Sequence, residues 1–440
     1  MRRLIAWLTV LAAVALMAGV GAPAASAAPG PADAPEYWFD SWRLQQLWDS
    51  GADGSGVTIA EIDTGVNAAL PGLEGRVLAG TDLGSSGNGH VDRDKDAFGH
   101  GTAMASIMVS RPSSFDVTGI APGAKILPIA VPLIGTTDAA NDDHLAEAIR
   151  YAADHHAKII SMSLGGARTP SANTQACYSD EQAAIYYALR KGALLFASSG
   201  NSGAKGSPVE EPGVCLGVVS VGAVDRSGTV ASFSSRHPYL TLTAPGVNIP
   251  SLGRIAGQAY SGEGTSQATA IASAAAAIVW SAKPKLTAEQ LLTRLIATTD
   301  HHLSTHSTSY GYGIVNPYAA INDAVPANAP NPVFSLVAPF LARSAASSTS
   351  GLTSPPAATK HRAKPPGTVT VGSAPSRFGP RVIEGGLAGL LGLLALLALS
   401  VGGARRARQR VRLAVAARAA EHAPPPAPVM DAEGVEWHQL

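Results

Sequence analysis

Short runs rich in β-branched residues alternate along this chain with longer segments of helical period. Val57-Thr58-Ile59-Ala60-Glu61-Ile62 is the first such run. Helix is expected over 103–110, strand over 125–131, helix over 145–155 and strand over 158–164. Helix follows over 180–191, strands over 193–198 and 218–221, and a long Ala-rich helix over 266–282. The alternation predicts an α/β fold, a parallel sheet covered by helices on both faces. Ligand-binding and reactive groups then belong at the carboxyl ends of the strands.

Two long apolar runs stand outside this rhythm. Residues 4–20 follow Arg2 and Arg3 and precede Ala25-Ser26-Ala27. A basic start, an apolar middle and small residues at the end form a signal peptide over 1–27, cleaved after Ala27; an uncleaved anchor is the alternative. Residues 385–404 carry no charge and are rich in Leu. As a helix they would measure about 30 Å, the thickness of a bilayer core. Arg405, Arg406, Arg408, Arg410 and Arg412 follow, which places a tail over 405–440 in the cytoplasm and the body outside. The alternative for 385–404 is a buried core helix. Contact of these arginines with anionic lipid explains them no better than retention of the anchor. Residues 325–384, with Pro355-Pro356, Pro365-Pro366 and an Ala/Ser-rich stretch, read as a linker. The body divides into an N-terminal extension over 28–56 and a domain over 57–324.

Composition supports this division. Of 440 residues 46% are hydrophobic, enough to exclude a wholly disordered chain. The 32 Lys+Arg balance 32 Asp+Glu, so net charge offers no case for nucleic acid as a partner. Residues 28–339 hold 18 Lys+Arg against 27 Asp+Glu, and residues after 339 hold 12 against 5. Opposite signs suit segments in different surroundings.

Three strand or helix ends carry candidate chemistry. Asp63 closes the first strand in Ile62-Asp63-Thr64-Gly65, His100 lies in Gly99-His100-Gly101-Thr102, and Ser266 in Gly264-Thr265-Ser266 opens the long helix. Each alone reads as a turn or cap residue. In the order Asp, His, Ser they match one of the known serine-protease triads. Ser266 would need a base to become a nucleophile, His100 would supply it, and Asp63 would hold the imidazole tautomer. Asn201, in Ser199-Gly200-Asn201-Ser202 after a strand, is a turn residue or, with the Ser266 amide, an oxyanion donor.

These pieces resemble the subtilisin-like (S8) serine proteases. Gly119-Ile120-Ala121-Pro122-Gly123-Ala124, Ile160-Ser161-Met162-Ser163-Leu164-Gly165-Gly166, Val221-Gly222-Ala223-Val224-Asp225 and Ala244-Pro245-Gly246 complete the set in family order. The resemblance implies a serine endopeptidase, with Ser163, Leu164 and Gly165 holding an extended peptide by strand addition. Signal, catalytic domain, Pro-rich tether, one C-terminal helix and basic tail are similar to the mycosins, membrane-anchored subtilases of type VII secretion. Trp42-Arg43-Leu44-Gln45-Gln46-Leu47-Trp48 and Tyr310-Gly311-Tyr312-Gly313-Ile314-Val315-Asn316-Pro317 also match. Protein or peptide substrates, secretion-complex partners and an extracytoplasmic catalytic domain on the cell membrane follow from that resemblance. A structural subunit with dispensable chemistry, or a general anchored degradative subtilase, are the rival readings.

Some residues depart from the pattern. Gln267-Ala268-Thr269-Ala270 replaces the usual Met-Ala-x-Pro, Ala103 replaces a second His, and Glu61 places an acid in a central strand on the face of Asp63. Cys177 and Cys215 are the sole cysteines; in an exported chain a pair reads as a disulfide, two buried thiols being the alternative. His155-His156, and His301, His302 and His306, lack companion ligands. No cofactor is expected. Asp92, Asp94 and Asp96 leave a structural calcium open, although no Glu closes the loop at EF-hand spacing.

Overall fold

The computed structural model describes residues 30–31 and 36–349, apart from 86, 95–97, 113–116, 133–138, 168–176 and 304. The chain splits into compact units over Met1–Pro355 and Pro356–Leu440, and the described residues all lie in the first. The expected signal peptide, most of the linker, the apolar run 385–404 and the tail lie outside them. Among the described residues no helix is long and apolar enough to cross a membrane.

Seven strands form one sheet in the order Leu240–Pro245, Val218–Val224, Leu194–Ser198, Ile159–Met162, Thr58–Asp63, Lys125–Ala130 and Thr81–Asp82. Every pairing in it is parallel. The inner strands are buried along their length. A parallel sheet needs cover on both faces, which explains the near-continuous Val, Ile, Leu and Ala in these runs. Two helix pairs provide it: His100–Val109 with Thr265–Ala282, and Ala139–Asp154 with Ser179–Arg190. In the Thr265–Ala282 helix every residue from Thr265 to Trp280 is buried. Its alanines let it lie close against five strands of the sheet, so the helix start is held firmly beside the strand ends.

The expected elements recur with boundaries shifted by a few residues. Residues 103–110 begin their helix earlier, at His100, and 145–155 at Ala139. Beyond the expected elements lies the Ala288–Ala297 helix, whose start Thr287 and Gln290 mark with a reciprocal capping box. The antiparallel ribbon of Ile249–Leu252 and Ala259–Gly262, to which Gly30–Pro31 adds a third strand, is a further addition. Within the N-terminal extension Trp38, Trp42, Leu44 and Leu47 are buried in the core.

The linker expected from residue 325 needs correction. Pro332–Thr349 is a helix, with Val333, Phe334 and Val337 buried. Asn331 caps it: its Oδ1 accepts from the Phe334 amide at 3.1 Å, while its Nδ2 donates to Glu289 O at 2.9 Å. Ala, Ser and Pro around this segment mask three apolar residues that share one helix face.

Cys177 and Cys215 form a disulfide across 38 residues of sequence. The loop it closes contains Asn201. Replacing both cysteines with serine is expected to lower stability by about 3–4 kcal/mol, by freeing the unfolded chain. Denaturant midpoints of the two proteins, compared without reductant, measure this; equal midpoints would assign the bridge no stabilising role.

Candidate active site

Asp63 ends its strand at the sheet's carboxyl edge and is 1% exposed. Its carboxylate accepts from the Thr64 amide at 2.7 Å and meets His100 Nδ1 at 2.8 and 2.9 Å. His100 opens a helix whose preceding residue, Gly99, has φ +70°. A Cβ on Gly99 would lie 2.4 Å from Arg254 Cβ, so both conformation and space require glycine there.

A second acid fixes this arrangement. Asp92 is buried and accepts from Thr64 Oγ1 at 2.8 Å, from the Thr102 amide at 2.9 Å and from Thr102 Oγ1 at 2.5 Å. Thr64 Oγ1 in turn accepts from the Gly101 amide at 2.9 Å. Asp94 Oδ2 accepts from the His100 amide at 2.8 Å. Asp92 and Asp94 thus tie the first turn of the His100 helix to the turn after Asp63. Asp96, the third member of the calcium candidate, lies outside the described residues.

Electrostatics follow from this packing. Burial works to lower the His100 pKa, but the Asp63 carboxylate, through charge and hydrogen bond, holds it above the ordinary imidazole value; Asp94 and Asp92 add to the rise. Glu61, 2% exposed, has no well-formed hydrogen bond to either carboxyl oxygen. Burial first, then the Asp63 and Asp92 charges, push its pKa well above the carboxylic acid range. Glu61 is therefore an acid whose charged form the fold disfavours.

That preference has a cost at high pH. A folded pKa above the unfolded value gives stability that is complete below the unfolded pKa and lost as pH rises through the folded one. Glu61→Gln has no charge to suppress. It is expected to raise Tm by about 3 °C or more near pH 9 and by little near pH 4. Thermal melts of both proteins across that range check it; a gain independent of pH would contradict this origin.

Ser266 sits in the first turn of the Thr265–Ala282 helix, 9% exposed. Its Oγ donates to Ser163 O at 2.8 Å, and Ser163 Oγ donates to Ser266 O at 3.0 Å. Among the described residues no hydrogen bond joins Ser266 to His100. Ser163 is buried, Leu164 half-buried and Gly165 exposed. The Ser163 side chain therefore anchors the helix start, leaving Leu164 and Gly165 as the open edge.

Asn201 is exposed, after Gly200 at φ +101°. Its Oδ1 accepts from both the Thr265 amide and Thr265 Oγ1 at 2.9 Å. That fixes the amide orientation and leaves Nδ2 as a donor. Asn201 Nδ2 and Ser266 N lie 3.6 and 3.7 Å from a Cβ placed on Gly264. Two N–H donors thus share one small space at the start of the Ser266 helix. Such donors can receive the negative charge of a tetrahedral intermediate. Gln267 Oε1 lies 2.6 Å from the same Gly264 position, so this departure packs under the site. The Thr265 clamp and the Asp92 latch were absent from the sequence reading; the only signals for them are threonines next to predicted site residues.

The Peptidase_S8 model, described as the subtilase family, matches residues 54–313. The chain is similar to a thermophilic serine proteinase of Bacillus sp. (strain AK1), 33% identical over 293 residues, or 65% of this chain and 67% of that one. It is 32% identical to subtilisin E of Bacillus subtilis (strain 168) over 64% of this chain and 70% of that one. Among solved structures it resembles the MycP3 protease from the type VII (ESX-3) secretion system, at 30% identity and TM-score 0.58, covering 67% of this chain and 92% of that one. MycP1 from Mycobacterium smegmatis matches at 28% identity and TM-score 0.59, over 71% and 92%.

Proposed function

Since the chain belongs to the subtilase family, we propose that it is a membrane-anchored serine endopeptidase of type VII secretion, working through Asp63, His100 and Ser266. The observation that carries the chemistry is the Asp63–His100 bond, together with a helix-start serine whose amide shares one small space with the Asn201 side-chain donor. The secretion role is supported by the coverage of MycP1 and MycP3 over 92% of their chains.

In this reading an extended peptide lies along Leu164 and Gly165 with its scissile carbonyl oxygen toward Asn201 Nδ2 and the Ser266 amide. Ser266 Oγ leaves the Ser163 carbonyl and turns to His100 Nε2. His100 takes its proton as Oγ attacks, and Asp63 stabilises the imidazolium. The proton then passes to the departing amine, and water repeats the sequence to release the acyl group.

The direct test combines a serine-directed phosphonate with cell fractionation. Labelling at Ser266 in the membrane fraction is expected. A tag after Leu440 should resist external protease in intact cells while the domain carrying Ser266 is cut. Absence of both labelling and hydrolysis of a peptide library sinks the enzyme assignment; an accessible tag reverses the topology.

A further inference from the structure

Glu210 is an acid that the mechanism above leaves unused. It belongs to Glu210–Glu211, a two-residue strand paired antiparallel with Gly166–Ala167. That pairing carries it to the end of the segment expected to hold substrate. A Cβ on Gly200 would lie 2.4, 2.5 and 2.6 Å from Glu210 Cγ, Oε1 and Cδ. A Cβ on Gly165 would lie 3.9 Å from Glu210 Oε2. The carboxyl therefore sits between two backbones that have no side chains of their own. One directly precedes the oxyanion donor Asn201, and the other directly follows Leu164.

A bound peptide must respect both neighbours. With its scissile carbonyl at Asn201 and its backbone along Leu164–Gly165, the residue bearing that carbonyl has one direction for its side chain. In the reading proposed above that direction is toward Gly165 and Gly200, the two backbones between which the Glu210 carboxyl lies. We infer that Glu210 determines specificity at this subsite and selects substrates with Lys or Arg on the amino side of the scissile bond. The inference rests on the protease reading given above.

The state of the acid supports this. Glu210 is 5% exposed, and among the described residues no donor or cation meets its carboxyl; its amide donates to Tyr239 Oη at 2.9 Å. Burial raises its pKa to about 7. A desolvated carboxyl without a counterion gains most from an arriving cation, and a neutral or acidic side chain would leave it unpaired. A carboxylate at the base of the corresponding pocket selects basic residues in unrelated serine proteases.

The experiment uses the full chain in membranes and peptides differing only at that residue. The wild type is expected to cleave after Lys or Arg about 10²-fold more efficiently, in kcat/KM, than after Leu or Glu. Glu210→Gln should bring the Lys-to-Leu ratio close to one, mainly through KM for the Lys peptide. Glu210→Asp, which keeps the charge, should retain a preference for Lys. A wild type that hydrolyses peptides without favouring Lys or Arg, or a Lys-to-Leu ratio unchanged in Glu210→Gln, overturns the inference and leaves the protease reading standing. No hydrolysis of any peptide, together with no labelling of Ser266, overturns both. Should Glu210→Gln not fold, the wild-type profile alone decides.

Discussion

Ser266→Ala is expected to lower peptidase activity by about 10⁶-fold in kcat, the scale found for subtilisin itself, a relative in the same family. The residual rate comes from peptide binding and the two N–H donors. The substitution removes one hydroxyl from a residue 9% exposed. It also leaves Ser163 O without its donor, a loss of about 1 kcal/mol. Ser163 Oγ still donates to the backbone at position 266, so the helix start keeps its anchor and the protein folds. Full activity in this variant would remove Ser266 from the mechanism. Secretion, scored beside a full deletion, separates the enzyme from a structural subunit. If deletion stops secretion and Ser266→Ala does not, the chain has a structural role separable from its chemistry.

Asn201→Ala is expected to reduce kcat by about 10²–10³-fold, again the magnitude known for the equivalent change in subtilisin. KM should change little, because the lost hydrogen bond forms mainly in the transition state. Stability should fall as well, since Asn201 Oδ1 holds both the amide and the hydroxyl of Thr265 at the helix start. Asn201→Asp separates the two roles: it keeps an acceptor for Thr265 and removes the amide donor. Its melting temperature should stay near that of the wild type, with kcat reduced as in Asn201→Ala. An Asn201→Asp enzyme with normal kcat would show that the Nδ2 donor is not what the reaction uses.

The legible part of the site was the part written in contiguous residues. Asp63, His100 and Ser266 each sit in a short motif at an element boundary, and their order along the chain carries meaning. Asp92 was legible only as an acid in a row of acids. Its partners Thr64 and Thr102 lie 28 and 10 residues away in sequence, and only the packed fold shows that it latches a helix instead of standing in an open loop. Glu210 left no signal. A strand of two residues has no period, and its pairing with Gly166–Ala167 spans more than 40 residues. The helix at Pro332–Thr349 is hidden in the sequence because its Ala, Ser and Pro surroundings outweigh the spacing of Val333, Phe334 and Val337.

What the sequence alone determined was the α/β alternation, the parallel sheet it demands, the candidate residues at its carboxyl edge and the family they belong to. These follow from local rules: β-branched runs make strands, helical period makes cover, and short Gly-flanked motifs mark where backbone must approach a ligand. The tertiary structure alone decided how the groups are charged and aimed. Glu61 resists ionisation because the fold buries it beside Asp63 and Asp92. The Ser266 hydroxyl rests on Ser163, and Thr265 turns the Asn201 amide outward. Burial and hydrogen-bond direction depend on neighbours distant in sequence, and those neighbours exist only once the sheet and its helices have packed.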